Sequence, residues 1–275
     1  MVMTRRTVLK AGAVGVGLAA TPGLSFGARP RRTRVLLATN EPWGTYHAKP
    51  LLVEAARRGW ELVQVVPDRS RLELVTAASP AESAVFASYL GWKHHVRMVG
   101  SAQTDDLPEY TPQADRVLVL TSVTRPDPTG DAAPGTQLLL DAAAKLEAAG
   151  KHIVVGLHPR EDRKLWEQYE ISALGSVPES ATAECAVGIP GTVFPIVAAV
   201  GVPLVGCVDP KLQVPDYILD VCSSTIDSPE QAVNAIDTAR PASRGDIFSA
   251  VGPIGGSARR LYSAWHSTTR QRDAA

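Results

Sequence analysis

Short apolar runs and segments of helical periodicity alternate along most of the chain. Residues 34–39 predict a buried strand, residues 50–58 place their apolar side chains on one helical stripe, and residues 61–66 predict a second strand. Gly59 ends the helix. A strand, a helix and a strand in this order predict a βαβ unit with a right-handed crossover.

The same order returns in the second part of the chain. Residues 116–121 predict a strand, residues 134–149 a helix, and residues 152–157 another buried strand. Two such units predict an α/β, Rossmann-like fold, in which a mostly parallel sheet carries helices on both faces in three αβα layers. The two βαβ-based halves are expected to meet near residues 105–115.

Several further helices are marked by residues that favour helix starts. Residues 79–82 read Ser-Pro-Ala-Glu, which is a capping box with proline at the first helical position. Thr192 is predicted to cap a helix that ends at Gly201, ahead of a strand at 204–208. Residues 228–231 open another helix by the same pattern, and the last helix starts at Ser257.

The first residues of the chain carry an arginine pair ahead of an apolar stretch. Arg5 and Arg6 are followed by the weakly apolar residues 11–20. This arrangement is typical of a twin-arginine signal, which the Tat translocase reads before it exports a folded protein. The sequence predicts a signal peptide at 1–27, an α/β domain at 28–275, and a periplasmic, cell-wall or extracellular location.

The signal region also imitates two binding motifs. Gly12, Gly15 and Gly17 have the spacing of a dinucleotide-binding loop, but no strand precedes them. Residues 23–27 spell the G-x-S-x-G of a hydrolase elbow at the place where a signal peptidase would cut. Neither motif supports a function. The apolar stretch is about half of the ~20 residues that span a bilayer, so we expect no permanent membrane anchor.

The charge balance and the cysteines narrow the function classes. The chain has 28 Lys and Arg against 28 Asp and Glu, so bulk charge does not attract nucleic acid or an anionic membrane. Cys185, Cys207 and Cys222 lack Cys-x-x-Cys spacing, and buried apolar cysteines are expected, with one late disulfide as the alternative. No metal-binding motif is present, and the sequence does not indicate a cofactor.

Two loops that follow predicted strands are rich in polar side chains. The loop at 40–49 contains Asn40, Tyr46 and His47. The loop at 121–134 contains hydroxyl groups and Arg125. In parallel sheets, ligands bind at the carboxyl ends of the strands, where helix N-termini converge. We therefore name these four residues as candidate ligand-binding residues, while polar connecting loops without a ligand remain the alternative.

A third loop carries the sharpest candidate. His158 follows the predicted strand at 152–157, and Arg160 lies two residues further on. An imidazole and a guanidinium at the end of a strand suit a bound phosphate or carboxylate. We predict that His158 is catalytic and that Arg160 binds the anion. A buried structural histidine and an exposed bystander are the alternatives.

This third loop also carries a resemblance to a known family. Residues 158–205 contain His-Pro, then Arg-Glu, a later strand, a turn with a hydroxyl residue, and an apolar helix leading to Gly-Val-Pro. This stretch resembles the nucleotide-binding half of GT-B glycosyltransferases of the bacterial polysialyltransferase type. The resemblance implies that His158 and Thr192 hold the phosphate of a nucleotide-sugar donor. A fainter likeness at 114–181 is to sugar isomerase-type (SIS) phosphosugar-binding domains.

Three readings of the function follow from these features. The first is an exported enzyme that handles a small phosphorylated sugar or nucleotide-type ligand, in the manner of a glycosyltransferase. The others are an exported α/β binding protein without turnover and a degenerate enzyme retained for interaction with a partner. Polar groups at separate strand ends favour a small anionic ligand over a flat partner surface, so we adopt the first.

Overall fold

The computed structural model of the chain describes residues 34–37, 61–64, 75–90, 96–122 and 134–273. The expected signal peptide and the helix at 50–58 lie outside the described residues. The candidate residues Asn40, Tyr46, His47 and Arg125 also lie outside them. His158, Arg160 and Thr192 lie within them.

Parallel strand pairs make up all of the described sheet structure. Six strands form the main sheet in the order β10-β9-β8-β5-β6-β7, and β1 with β2 and β3 with β4 form two-stranded sheets. The strands are β1 Arg34–Leu37, β2 Glu61–Gln64, β3 Val75–Ala77, β4 Val96–Met98, β5 Gln113–Leu120, β6 His152–Gly156, β7 Glu170–Ile171, β8 Ala183–Gly188, β9 Leu204–Cys207 and β10 Ser224–Ile226. The predicted mostly parallel sheet is confirmed.

Helices cover both faces of the main sheet. The α-helices are α1 Pro80–Leu90, α2 Thr136–Ala148, α3 Ser176–Ser180, α4 Phe194–Val200, α5 Asp216–Leu219, α6 Ala232–Asp237, α7 Arg244–Val251 and α8 Ser257–Asp273. Short 3-10 helices occupy Ala102–Thr104, Arg163–Leu165 and Pro229–Gln231.

Alternate residues of β5 face opposite sides of the sheet, as the pleat of a strand requires. Val117 and Val119 belong to a buried cluster with residues of α2 and α6. Leu118 and Leu120 belong to another, with residues of α4 and α5. These two apolar clusters account for the central position of β5, and they confirm the predicted three-layer αβα arrangement.

The helix starts agree with the sequence in one case and differ in another. The Glu82 N–H donates to the Ser79 hydroxyl over 3.2 Å, as in the predicted capping box, and the Glu82 carboxylate accepts from the Ala78 N–H, one residue before the N-cap position. The predicted Thr192 cap is wrong. Val193 occupies the N-cap position of α4 without a side-chain hydrogen bond. The Phe194 N–H instead donates to the Gly191 carbonyl, which makes the turn before the helix.

The last helix is fixed at its start by an aspartate from a distant part of the chain. Asp105 accepts hydrogen bonds from the Ser257 N–H at 2.9 Å and from the Ser257 hydroxyl at 2.6 Å. One turn later, the Arg260 guanidinium donates to the Val99 and Pro253 carbonyls, each at 2.7 Å. These contacts attach α8 to the segment that follows β4.

The three cysteines are free thiols, so the alternative of a late disulfide is not formed. Cys185 and Cys207 are buried, and burial raises the pKa of both thiols to about 12. Both belong to the apolar core, as predicted from the sequence. Within the part of the chain that the structure describes, no helix is long and apolar enough to cross a bilayer.

Candidate functional site

The order of the strands places a crevice between two neighbours in the middle of the main sheet. Counted in chain order, β5 is the first strand of this sheet and β8 is the fourth, and the two are adjacent. The chain leaves β5 towards β6 on one side and leaves β8 towards β9 on the other. Such a reversal opens a crevice beyond the carboxyl ends of the strands, where ligands bind in open α/β sheets.

The carboxyl ends of β5, β6 and β8 bring the described candidate residues to this edge of the sheet. Thr121 directly follows β5, and the loop with His158 follows β6, which pairs with β5 in parallel. The turn with Thr192 follows β8, which pairs with β5 on its other side. The three described candidates, His158, Arg160 and Thr192, therefore lie at the same end of the sheet, beyond the strands on either side of β5.

A glycine lets β5 and β8 come close at the crevice. A Cβ on Gly188 would lie 2.4 Å from the Leu120 carbonyl oxygen and 2.6 Å from the Leu120 Cβ. Non-bonded atoms do not come so close in real proteins. The Leu120 carbonyl oxygen belongs to the backbone, so it cannot turn away as the end of a flexible side chain could. The close approach of the strand ends therefore depends on the absence of a side chain at Gly188.

The loop after β6 begins with a β-turn that the sequence explains. The Glu161 N–H donates to the His158 carbonyl over 2.9 Å, which makes His158 the first of the turn's four residues. Pro159 occupies the second position, where its fixed φ favours the turn. The Arg160 N–H donates to the His158 Nδ1 at 3.2 Å, as an asparagine or aspartate side chain often accepts in this position.

A threonine at the end of β5 connects this turn to the neighbouring strand. The His158 N–H donates to the Thr121 Oγ1 at 2.8 Å. Thr121 is only 7% exposed and directly follows the buried Leu120. The backbone of His158 is thus held by the strand that borders the crevice.

The hydrogen bond at Nδ1 decides which nitrogen of the imidazole carries the proton. Because Nδ1 accepts from the Arg160 N–H, the proton of the neutral ring lies on Nε2. Among the described residues, the Nε2 atom of the half-buried His158 has no hydrogen-bond partner. The ring is therefore arranged to donate from Nε2.

The surroundings of His158 favour this neutral form. Burial lowers the pKa of the imidazole, and the positive charge of Arg160 lowers it further, whereas Glu161 has a smaller opposing effect. Protonation at Nδ1 would also displace the Arg160 N–H. His158 is therefore better suited to donate one hydrogen bond at neutral pH than to act as a cation.

Arg160 and Thr192 are exposed at this edge of the sheet. The backbone N–H of Arg160 donates within the turn. Its guanidinium lies on an exposed side chain, from which it can contact a bound anion. Thr192 lies just before the N-cap of α4. Its hydroxyl does not cap that helix, contrary to the prediction.

The N-terminus of a longer helix faces the same edge. Gly135 precedes α2 with a φ of +87°, and a Cβ there would contact the Ile189 side chain at 3.4 Å. Ile189 directly follows β8. The first N–H groups of a helix have no acceptor within it, and they favour anions.

No metal site is found in the described ranges, where no three His, Cys, Asp or Glu side chains are placed to hold an ion. At the crevice these ranges present hydrogen-bond donors and the exposed Arg160 guanidinium, beside the Glu161 carboxylate. The donors and the guanidinium suit a phosphate group.

Sequence reasoning overlooked two residues of the site. Thr121 was only one hydroxyl among several in a loop, and its position directly after a buried strand was the signal. Gly188 had no sequence signal, because its role depends on which strand lies beside β8.

Comparisons with known proteins give a fold but no family. No protein-family model matches the chain, and no curated protein matches it significantly. A Listeria monocytogenes protein assigned as a UDP-N-acetylglucosamine 2-epimerase matches with a TM-score of 0.52 at 12% identity, over 86% of this chain and 75% of that one. This match supports the Rossmann-like α/β fold.

Two other solved structures are less similar. The Methanocaldococcus jannaschii UDP-GlcNAc 2-epimerase, solved with UDP-GlcNAc and UDP, matches with a TM-score of 0.49 at 13% identity, over 85% of this chain and 75% of that chain. A variant of the wall teichoic acid polymerase TagF matches with a TM-score of 0.44 at 12% identity, over 74% of this chain. The matched part spans 60% of the length of that polymerase chain.

Proposed function

We propose that the crevice beyond β5, β6 and β8 binds a nucleotide-sugar type ligand through its phosphates, and that the protein is a glycosyltransferase-like enzyme. The observation that carries the proposal is the fixed His158 turn, which presents an Nε2 proton at the strand ends. The epimerase of similar fold, which by its name acts on a UDP-sugar, supports this choice of ligand.

His158 and Arg160 have complementary roles in this proposal. When a sugar is transferred, an acceptor hydroxyl oxygen bonds to the anomeric carbon and releases its proton to solvent. The bond between that carbon and the phosphate oxygen breaks, and the electron pair remains on the phosphate. The Nε2 proton of His158 donates a hydrogen bond to the charge that develops there, and the Arg160 guanidinium supplies positive charge. Thr192 adds a hydroxyl group, and the N-terminus of α2 adds a favourable helix dipole, from the other side of the crevice.

A thermal melting screen tests the ligand class. We expect UDP or a UDP-sugar to stabilise the protein by about 2.7 kcal/mol at roughly a hundred times its dissociation constant. Neutral sugars are the control and leave the melting temperature unchanged. Flat melting curves for nucleotides and phosphosugars alike would favour the reading of an interaction protein, whereas binding without turnover would favour a binding protein.

Replacing His158 by alanine is expected to weaken UDP binding about 10- to 150-fold, because a hydrogen bond to a charged group contributes about 1.5–3 kcal/mol. Arg160→Ala is expected to weaken it in the same direction. Isothermal titration calorimetry measures both effects, and the melting temperature of each variant is determined in parallel.

The chain offers a matched control for the His158 variant. His152 is an exposed histidine at the amino end of the same strand, β6, and His152→Ala is expected to leave UDP affinity unchanged. If His158→Ala lowers the melting temperature and retains affinity, His158 is a structural residue and the proposed role is wrong.

We also propose that the protein is exported by the Tat pathway. The double substitution of Arg5 and Arg6 by lysine is expected to leave an unprocessed precursor in the cell, because the translocase reads the guanidinium pair and not hydrophobicity alone. Fractionation and immunoblotting of wild type and variant measure this. Equal export of the two proteins would rule out the pathway.

A further inference from the structure

The His158–Glu161 turn has its own internal hydrogen bonds, but these do not place it relative to the sheet. The Glu161 and Arg160 N–H groups both return to His158, one to its carbonyl and one to its Nδ1. Both bonds lie within the turn, and neither attaches it to the sheet. Its position therefore depends on contacts with the neighbouring strands.

Thr121 supplies such a contact from a rigid support. The side chain accepts the His158 N–H at 2.8 Å, and the Thr121 N–H makes a longer 3.4 Å contact with the Gly156 carbonyl. Thr121 extends the central strand, whose residues Leu118 and Leu120 are buried. A β-branched side chain also has few rotamers, so its hydroxyl keeps a fixed position.

We infer that Thr121 is a positioning residue, which fixes the His158 turn so that the imidazole presents its Nε2 proton at the crevice. This inference rests in part on the proposed nucleotide site, because a fixed Nε2 proton affects function only when a ligand accepts its hydrogen bond. Misplacement of a catalytic group by about 1 Å can lower the reaction rate by about a hundredfold.

Two substitutions separate the hydroxyl from the rest of the side chain. Thr121→Val keeps the shape and removes the acceptor, so that the His158 N–H loses its partner. Thr121→Ser keeps the acceptor and removes only a methyl group. Thr104→Val is the control, because Thr104 is also buried, but its hydroxyl donates to the Ser101 carbonyl at a short 3-10 helix and not at the crevice.

The first readout needs no ligand. Nitrogen-15 spectra of the histidine rings report which nitrogen carries the proton. In wild type, Thr121→Ser and Thr104→Val, we expect His158 to give the signals of the Nε2–H form. In Thr121→Val the turn loses its attachment to β5, so the Arg160 N–H no longer stays aligned with Nδ1, and we expect signals averaged between the two tautomers. Unchanged His158 signals in a folded Thr121→Val protein would overturn the inference.

The second readout is UDP affinity by calorimetry. We expect Thr121→Val to weaken binding about tenfold, because the hydrogen bond from Nε2 to the phosphate is weakened. Thr121→Ser should restore most of the affinity, and Thr104→Val should bind like wild type. Equal binding by wild type and Thr121→Val would overturn the inference. Failure of wild type to bind UDP would count against the proposed function instead, and the ring spectra would still decide the role of Thr121.

Discussion

Replacing Glu179 by alanine is expected to destabilise the protein by about 3 kcal/mol, since breaking a buried ion pair typically costs about 3–5 kcal/mol. Glu179 accepts from the Arg116 guanidinium at 2.7 Å, and the two side chains are 8% and 14% exposed. The Ser172 hydroxyl donates to the other carboxylate oxygen at 2.7 Å. The substitution leaves the largely buried Arg116 guanidinium with the half-exposed Glu170 carboxylate, at 3.4 Å, as its ion-pair partner among the described residues.

Urea unfolding measures this loss, and an exposed pair provides the control. Glu230 lies 3.7 Å from Lys145, and both side chains are more than half exposed. Glu230→Ala is expected to leave the urea midpoint close to that of wild type, because exposed ion pairs contribute little to stability. Equal midpoints for the Glu179 and Glu230 variants would contradict the assignment of Arg116 and Glu179 as a stabilising pair.

The stability lost in the Glu179 variant is expected to depend on pH. Burial alone would raise the pKa of this carboxyl, but hydrogen bonds from Ser172 and Arg116 outweigh burial and hold the pKa below its ordinary value of 4.5. A depressed carboxyl pKa contributes stability above the unfolded-state pKa, and the contribution is lost as pH falls through the folded-state pKa. The difference between wild type and variant should therefore narrow below about pH 4.5.

The second large effect is expected for Gly188→Ala, which should destabilise the protein by about 3 kcal/mol, near the upper end of typical overpacking costs. The added methyl group would lie 2.4 Å from the Leu120 carbonyl oxygen. The ends of β5 and β8 must then separate. Because these ends border the crevice, UDP binding should weaken as well.

Another glycine gives a contrasting control for this variant. Gly245 lies in α7, and its closest contact for an added Cβ is an ordinary 3.5 Å to the Ser243 hydroxyl. Alanine favours a helix over glycine, so Gly245→Ala is expected to stabilise the protein by about 0.5–1 kcal/mol. Urea unfolding of both variants gives the comparison. A Gly188→Ala protein as stable as wild type would contradict the described strand contact.

The sequence predicted the elements whose signals are local. The buried runs at 116–121 and 152–157 became β5 and β6, and the helix at 134–149 became α2, because hydrophobic periodicity and glycine ends act within one segment. The predicted start of α4 is one residue too early, because Val193 and not Thr192 occupies the N-cap position. Pro195, in the first turn of the helix, was the better marker.

The geometry of the site could not be predicted in the same way. His158 was correctly expected at the end of a strand, since His-Pro follows an apolar run. Its bond to Thr121 joins residues that are 37 positions apart, and it exists only because β5 and β6 are neighbours in the sheet. The contact of Gly188 with Leu120 likewise depends on strand order, which arises from packing across the whole sheet.

A crystal structure of the protein with UDP would show whether the crevice is the nucleotide site. We expect the pyrophosphate to lie beyond the ends of β5 and β8. One phosphate oxygen is expected within about 3 Å of the His158 Nε2, with the Arg160 guanidinium turned towards the same phosphate. UDP bound elsewhere on the protein, or a pyrophosphate in the crevice without contact to His158, would contradict it.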